Sequence, residues 1–302
     1  MGLFQYVVLP WSSLNYFQDR KKYFGRRVKL NMILNAKSGL CPENCSYCSQ
    51  SIVSEAPIDK YPLLSKETIL AGAEEAQRRM AGTYCIVMSG RRPSNREIEQ
   101  VADAVKEIRK TSSLKICCCL GFLTPEHAKV LTEAGVHRYN HNLNTSQENY
   151  ERICTTHTYD DRVETIERVK CAGMSPCSGV IFGMGETDEG RVDMAFSLKK
   201  LDADSIPCNF LNPIDDTPLA GHRELTPNTC LKILDMMRFV NPTKEIRIAG
   251  GREVNLGSLQ PLGLYAANSI FVGDYLTTAG QLPDADWQMI QDLGFEIEAC
   301  AL

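Results

Sequence analysis

The chain has 302 residues, of which 43% are hydrophobic, and a formal net charge of −4. This length suits a single barrel enzyme, and a weakly negative chain without basic clusters argues against nucleic-acid and membrane-surface binding. No apolar run reaches the ~20 residues of a spanning helix, and Leu3–Trp11 lacks a basic start, so we expect no signal peptide. Thirteen cysteines beside a large apolar core indicate metal ligation in a reducing compartment rather than disulfides, which predicts a cytoplasmic enzyme.

Short apolar strands alternate with amphipathic helices from Val28 onward, whereas residues 1–22 show little periodicity and receive no prediction. The predicted strands are Val28–Leu34, Tyr84–Ser89, Leu114–Leu120, Arg138–Leu143, Ser175–Phe182, Ser205–Leu211, Glu245–Ala249 and Ser269–Gly273. Helix starts are indicated by the capping box at Ser94 and by Thr-Pro pairs at Thr124 and Thr226. Eight such units predict a (β/α)8 TIM-type barrel forming one domain over residues 1–302, although an incomplete barrel of six units would give a similar pattern.

Three cysteines follow the first predicted strand at the spacing C-x3-C-x2-C, as Cys41, Cys45 and Cys48. Turn-forming residues around them allow the loop to direct three sulfurs at one centre. Thiolates favour zinc and iron–sulfur clusters, and a structural zinc normally takes four protein ligands. Three thiolates on a cluster of four irons would leave one iron free for another ligand. Zinc and three unrelated thiols are the alternatives.

Strand alternation sorts the remaining cysteines, because alternate residues of a barrel strand face the lumen. It directs Cys85, Cys117 and Cys177 inward, together with Arg247, whose buried guanidinium needs an anionic partner. This predicts a second inorganic site in the lumen. Cys119 shares the inward face of Cys117, so we include it as a further candidate ligand. We interpret the others as small hydrophobic residues: Cys118, Cys154, Cys171, Cys208, Cys230 and Cys300.

The cluster loop resembles the signature of the radical S-adenosylmethionine (SAM) enzymes. The motifs that follow it resemble, more specifically, the biotin synthase family, from about Tyr23 to the end of the chain. They are Asn35–Gly39, Tyr139–Ser146, Thr155–Tyr159, Cys177–Gly179 with Gly183–Thr187, Arg247–Glu253, Ala267–Phe271 and Leu276–Thr278. The resemblance implies insertion of sulfur between C6 and C9 of dethiobiotin. The 4Fe-4S cluster and SAM would supply 5′-deoxyadenosyl radicals, and an auxiliary 2Fe-2S cluster would supply sulfide.

Site residues follow from this resemblance, position by position. The 4Fe-4S cluster would be held by the three loop cysteines, and the auxiliary cluster by Cys85, Cys117, Cys177 and Arg247. The last two are also the implied catalytic residues.

The resemblance also implies ligand contacts. SAM would contact Tyr47, Asn142, Asn144 and Arg162, and dethiobiotin would contact Asn142, Asn209, Thr277 and Thr278. We interpret His141, which alternation directs away from these asparagines, as a satisfied core histidine. A flavodoxin- or ferredoxin-type electron donor and a homodimer are the partners that the resemblance implies.

Three features depart from the family pattern. Asn144 replaces an Asp that contacts the SAM ribose, Cys119 leaves room for an auxiliary cluster larger than 2Fe-2S, and residues 1–22 do not look like the expected helical start. Two other functions would call for different features. A related barrel enzyme that rearranges a small amino acid derivative would not need the second thiol set, and an iron–sulfur carrier would be small and expose its cluster.

Overall fold

The structure is a computed structural model that describes residues 13–298; residues 1–12 and 299–302, which include Cys300, lie outside the described part. Each of the eight predicted strand segments contains a strand. The strands are β1 (Arg27–Lys37), β2 (Thr83–Met88), β3 (Lys115–Cys119), β4 (Arg138–Asn140), β5 (Ser175–Cys177), β6 (Val180–Phe182), β7 (Ser205–Phe210), β8 (Glu245–Ile248), β9 (Ser269–Phe271) and β10 (Glu296–Ile297).

The strands close into a parallel barrel. Neighbours follow the order β1-β2-β3-β4-β5-β7-β8-β9, and β9 pairs with β1 to complete the ring. Strands β5 and β6 together form one wall position interrupted at residues 178–179, and β10 adds to the start of β1 outside the ring. Among the described residues the ring therefore has eight wall positions, which confirms the (β/α)8 barrel.

Helices cover the outside of the barrel. They are α1 (Ser13–Phe24), α2 (Lys66–Arg78), α3 (Asn95–Thr111), α4 (Pro125–Ala134), α5 (Tyr150–Ile153), α6 (Tyr159–Cys171), α7 (Asp188–Lys200), α8 (Pro227–Val240), α9 (Arg252–Leu256), α10 (Gln260–Gly263) and α11 (Pro283–Asp292). The predicted caps at Ser94, Thr124 and Thr226 each accept a backbone hydrogen bond at the start of their helix. No helix among the described residues is long and apolar enough to cross a membrane.

The expectation that residues 1–22 lack a helical start is wrong for the described residues from 13 onward, because helix α1 begins at Ser13; residues 1–12 lie outside the described part. Arg20 on this helix donates to the carbonyls of Gly25, Arg27 and Ala267 and stacks on Phe295, with 4.3 Å between Cζ and the ring centroid. The helix thereby covers the N-terminal ends of β1 and β9. Its inward face carries a buried arginine, so a search for apolar periodicity does not detect it.

A glycine permits the interruption between β5 and β6. Cβ built on Gly179 would lie 2.1 Å from the carbonyl oxygen of Pro207, so no side chain fits there. The Gly179 N–H instead donates to Asn142 Oδ1 at 3.0 Å. The break therefore brings the end of one barrel strand to a polar side chain that follows β4.

Candidate active site

A cavity of about 380 Å³ opens at the C-terminal ends of the barrel strands, where active sites of such barrels lie. All but one of the predicted site residues line it: Cys41, Cys45, Tyr47, Cys48, Cys85, Cys117, Cys119, Asn142, Asn144, Arg162, Asn209, Arg247, Thr277 and Thr278. Cys177 is buried next to the lining, with its thiol hydrogen-bonded to that of Cys117. The structure therefore brings the sequence-predicted site residues together.

The cluster loop holds three reduced thiols close to one another. Burial, with a smaller contribution from the charge of Cys41, raises the pKa of Cys48 to about 11. The pKa of Cys45 is raised mostly by its hydrogen bond to Cys154 and by burial, and to a smaller extent by the charge of Cys48. Buried thiolates that lie close together are stabilised strongly by a bound cation, which replaces the thiol protons. The donor set thus fits the three-cysteine side of a 4Fe-4S cluster.

Arg162 lies at the side of the cavity next to this loop. Its guanidinium donates to the Asn142 carbonyl at 3.0 Å and to the Tyr150 hydroxyl. Asn144 has a left-handed backbone, with φ 73°. In the amide orientation that satisfies both groups, its oxygen accepts from Arg162 at 3.0 Å and its nitrogen faces Tyr47. Tyr47, Asn142, Asn144 and Arg162 therefore form one connected polar wall.

The second thiol group lies deeper in the lumen. Cys85 and Cys117 are register partners on β2 and β3, and both are buried. Cys177 on β5 lies 3.2 Å from the amide nitrogen of Asn140. Cys118, by contrast, packs in the outer hydrophobic core, as alternation predicted. Three thiols from three strands thus converge in the lumen, and the charges around them decide what they can hold.

Arg247 is buried beside these thiols. It donates to the hydroxyls of Ser205 (3.0 Å) and Ser269 (3.3 Å) and forms an ion pair with Glu245. Burial lowers the pKa of Arg247, but the charges of Glu245 and of the three thiols raise it more. The pKa of Arg247 therefore lies above its usual value.

Glu245 also pairs with Lys29 at 3.2 Å and with Arg138 at 2.9 Å. Burial raises the pKa of Glu245, but Arg247, Arg138 and Lys29 outweigh it and hold that pKa well below its usual range. Three cations thus face one carboxylate, and thiolates in the lumen would balance the remaining positive charge. The site therefore fits an iron–sulfur cluster held by Cys85, Cys117, Cys177 and Arg247. The sequence analysis did not single out Glu245, although it lies two residues before Arg247 on the same strand and alternation directs both side chains into the lumen.

Asn209 and the residues around Thr277 complete the cavity. Asn209 accepts from the Gly250 N–H at 2.9 Å and donates to the Val180 carbonyl at 3.0 Å. The Thr277 hydroxyl lies 2.8 Å from that of Ser49, so the segment after β9 contacts the cluster loop across the cavity. Both residues are held in place by bonds to the protein.

The prediction for His141 is wrong. Strand β4 ends at Asn140, so alternation no longer applies, and His141 lines the cavity. Its ring lies 4.9 Å from that of Phe122, and its Nε2 has no hydrogen-bond partner among the described residues.

The interpretation of Cys171 as a small buried residue is also wrong, whereas Cys154, Cys208 and Cys230 do lie among buried hydrophobic residues. Cys171 is exposed. Cys154 is buried, but its sulfur lies 3.7 Å from Cys45 Sγ and 3.4 Å from His157 Nε2. No local pattern marks this contact, because the two cysteines are 109 residues apart.

Comparison with known proteins agrees with this geometry. Residues 37–198 match the Radical SAM superfamily, and residues 207–296 match the Biotin and Thiamin Synthesis associated domain. The biotin synthase of Bacillus cytotoxicus is 71% identical over 286 residues, which cover 95% of this chain and 86% of that protein. The biotin synthase of Bacillus thuringiensis (strain Al Hakam) is 71% identical over 283 residues, covering 94% and 85%.

Solved structures share the fold. Methylornithine synthase superimposes with a TM-score of 0.82 at 19% identity, covering 95% of this chain and 88% of that one. The FeFe-hydrogenase maturase HydG from Carboxydothermus hydrogenoformans gives 0.79 at 18% identity, covering 96% and 72%. At such identities the likeness concerns the barrel alone. The close relatives, the two matched segments and the two thiol groups on one cavity agree that the chain belongs to the biotin synthase family of radical SAM enzymes.

Proposed function

We propose that the cavity residues divide the biotin synthase reaction between two iron–sulfur centres on opposite sides of one substrate position. The observation that carries this proposal is the pair of separate thiol groups, one in the cluster loop and one in the lumen, that adjoin the same cavity. When bound, the 4Fe-4S cluster with SAM supplies a 5′-deoxyadenosyl radical, and the auxiliary cluster supplies sulfide. The protein's own contribution is then to hold, orient and shield the reactants.

The cluster-loop side binds and orients SAM. Cys41, Cys45 and Cys48 hold the iron, and Arg162 offers a half-buried positive charge for the SAM carboxylate. Asn144 already orients this guanidinium through its amide oxygen, and the half-buried Tyr47 lies close to it. With Asn in place of Asp, position 144 retains an acceptor without adding a charge that would compete for Arg162.

Dethiobiotin would lie between the two thiol groups. Asn142 Oδ1 accepts hydrogen bonds from the Asn140 side-chain amide and from the Gly179 N–H, and Asn142 borders both ligand positions. Asn209 hydrogen-bonds to the backbone of β6 and to the backbone after β8, beside the position of the dethiobiotin ureido ring. The Thr277 and Thr278 hydroxyls would contact the dethiobiotin carboxylate tail. None of these groups is a strong acid or base, which suits a radical reaction that depends on positioning.

The lumen side holds the sulfur donor. Cys85, Cys117, Cys177 and Arg247 ligate the auxiliary cluster, and the positive charge shared with Arg138 and Lys29 stabilises its thiolates. Cys119 lines the same cavity and is half-buried, so it remains a further candidate ligand.

A single domain over residues 1–302 is part of the proposal; it is supported by the second matched segment, which contains most of β7 and all of β8 and β9, the strands that close the ring. The family resemblance supports three further parts of the proposal: a homodimer, a flavodoxin- or ferredoxin-type electron donor, and a place in the cytoplasm.

The direct test is an anaerobic reaction of the reconstituted protein with SAM, a reductant and dethiobiotin, analysed by mass spectrometry. We expect biotin together with 5′-deoxyadenosine. Deoxyadenosine without biotin would contradict the lumen assignment, and the absence of both products would contradict the cluster-loop assignment. Iron and sulfide analysis of the same sample distinguishes incomplete reconstitution of the clusters from a failure of the proposal.

A further inference from the structure

A second set of metal-ligand atoms lies at the edge of the cluster loop and shares only Cys45 with the proposed iron–sulfur centres. Cys45 Sγ, Cys154 Sγ and His157 Nε2 are all buried and lie within 4.8 Å of one another. The distance between the two sulfurs is 3.7 Å, and the nitrogen lies 3.4 Å from Cys154 Sγ and 3.6 Å from Cys45 Sγ. Three different ligand atoms therefore form a nearly equilateral triangle.

These distances match the edges of a tetrahedral zinc site. Zn–S bonds of about 2.3 Å and Zn–N bonds of about 2.0 Å give sulfur–sulfur edges of about 3.8 Å and sulfur–nitrogen edges of about 3.5 Å. All three observed separations lie close to those values. A hydrogen-bonded thiol pair needs no nearby imidazole at the same spacing, so the triangle points to a bound ion.

The protonation pattern of His157 also suits a metal ligand. Arg162 has only donors and lies 3.2 Å from Nε2, so we assign the lone pair to Nε2 and the proton to Nδ1. Nδ1 lies 2.8 Å from the Tyr150 hydroxyl oxygen, which accepts that proton in a hydrogen bond. A histidine oriented through its second nitrogen is the usual arrangement at protein metal sites.

The segment that carries these ligands is fixed to the cluster loop. Asn44 Oδ1 accepts from the Thr155 N–H at 3.0 Å and from the Cys154 thiol at 3.3 Å. Glu43 accepts from the Thr156 hydroxyl and lies 3.8 Å from His157 Nε2. The site is thus preformed, and Cys45 and His157 reach it from the cavity, which provides an entry path.

We propose that the cluster-free protein binds one thiophilic divalent ion, of the zinc type, through Cys45, Cys154 and His157. Binding releases two thiol protons, so that two thiolates balance the charge of the ion, and the fourth position is open to water or to Glu43. The ion displaces Arg162 from His157 Nε2. Because Cys45 takes part in both sites, this ion and the 4Fe-4S cluster exclude each other; that last consequence rests on the proposed role of Cys45.

Cobalt titration of the reduced apoprotein without oxygen tests the proposal, because tetrahedral Co²⁺ has intense visible bands and Zn²⁺ displaces it. We expect one such ion per chain. Cys154→Ser should lower the affinity at least about 100-fold, since even changes to outer partners cost 10- to 100-fold. His157→Asn should weaken binding without altering a thiol, and Tyr150→Phe should weaken it about 10-fold. Cys171→Ser, at an exposed cysteine, is the matched control.

The cluster loop itself is the competing location for the ion. The double variant Cys41→Ser/Cys48→Ser should keep the cobalt bands. Loss of the bands in that variant with no change in Cys154→Ser would overturn the proposal, as would the absence of a tetrahedral ion in the unmodified protein. Zinc loaded beforehand should slow iron uptake in the unmodified protein and not in Cys154→Ser. These readouts do not use enzyme activity, so they can fail independently of the proposed function.

Discussion

Replacing Glu245 by glutamine should lower the free energy of unfolding by about 3 to 5 kcal/mol, the usual cost of breaking a buried ion pair from one side. Glu245 is the carboxylate that pairs with Arg247, Arg138 and Lys29. Glutamine has nearly the same shape and can still accept hydrogen bonds, so the loss reports the missing charge. Since small domains are stable by about 5 to 15 kcal/mol, the effect would be large.

Urea unfolding of the reduced apoprotein, followed by circular dichroism, measures this loss, with an unchanged slope as the check on two-state behaviour. Lys29→Met in the Glu245→Gln protein should recover part of the stability, because it removes one unpaired buried cation. Glu164→Gln, which breaks an exposed pair with Arg168, is the control and should cost less than about 1 kcal/mol. A loss below about 1 kcal/mol for Glu245→Gln, or no recovery with Lys29→Met, would refute the reasoning.

Three further predictions concern single side chains. Burial raises the pKa of Asp235 to about 7, and its Oδ2 has no partner among the described residues. Between about pH 4 and pH 7 the carboxyl is therefore protonated in the folded state but ionised in the unfolded state. The free energy of unfolding consequently falls as the pH rises through this range. Asp235→Asn should remove this loss, worth about 4 kcal/mol, and equal unfolding curves at pH 8 would contradict it. Cys41→Ala should abolish SAM cleavage, whereas Cys177→Ala should reduce biotin formation more than deoxyadenosine formation; equal losses of both products in the two variants would contradict the division of roles. Cys119→Ser should lower the auxiliary iron and sulfide content, and an unchanged content would exclude Cys119 as a ligand.

Much of the fold and site could be predicted because the relevant signals are local. Period-2 alternation sent Cys117 inward and Cys118 outward, as the structure has them. It failed at His141, where the strand had already ended at Asn140. Strand ends depend on partner strands and on breaks such as the one at Gly179, and these are set by tertiary packing.

Contacts between segments that lie far apart in the chain could not be predicted from the sequence. The meeting of Cys45 with Cys154 and His157 depends on how the loop after α5 packs against the cluster loop, and no spacing rule encodes that. Helix α1 was missed for a related reason. Its buried arginine binds carbonyl oxygens at the ends of other elements, whereas periodicity arguments register only apolar faces.

The pairing of β1 with β9 and β10 has a consequence for the order of events on the ribosome. β1 carries the cluster loop at its end, yet two of its three partner strands lie more than 200 residues further along the chain. Pairing over such distances is slow, because loop closure precedes any gain from the contact. The wall that supports Cys41 to Cys48 is therefore finished only after residues 269–297 have been translated. Iron delivered to the nascent chain would meet an incomplete site, so we expect the clusters to be inserted after translation has finished.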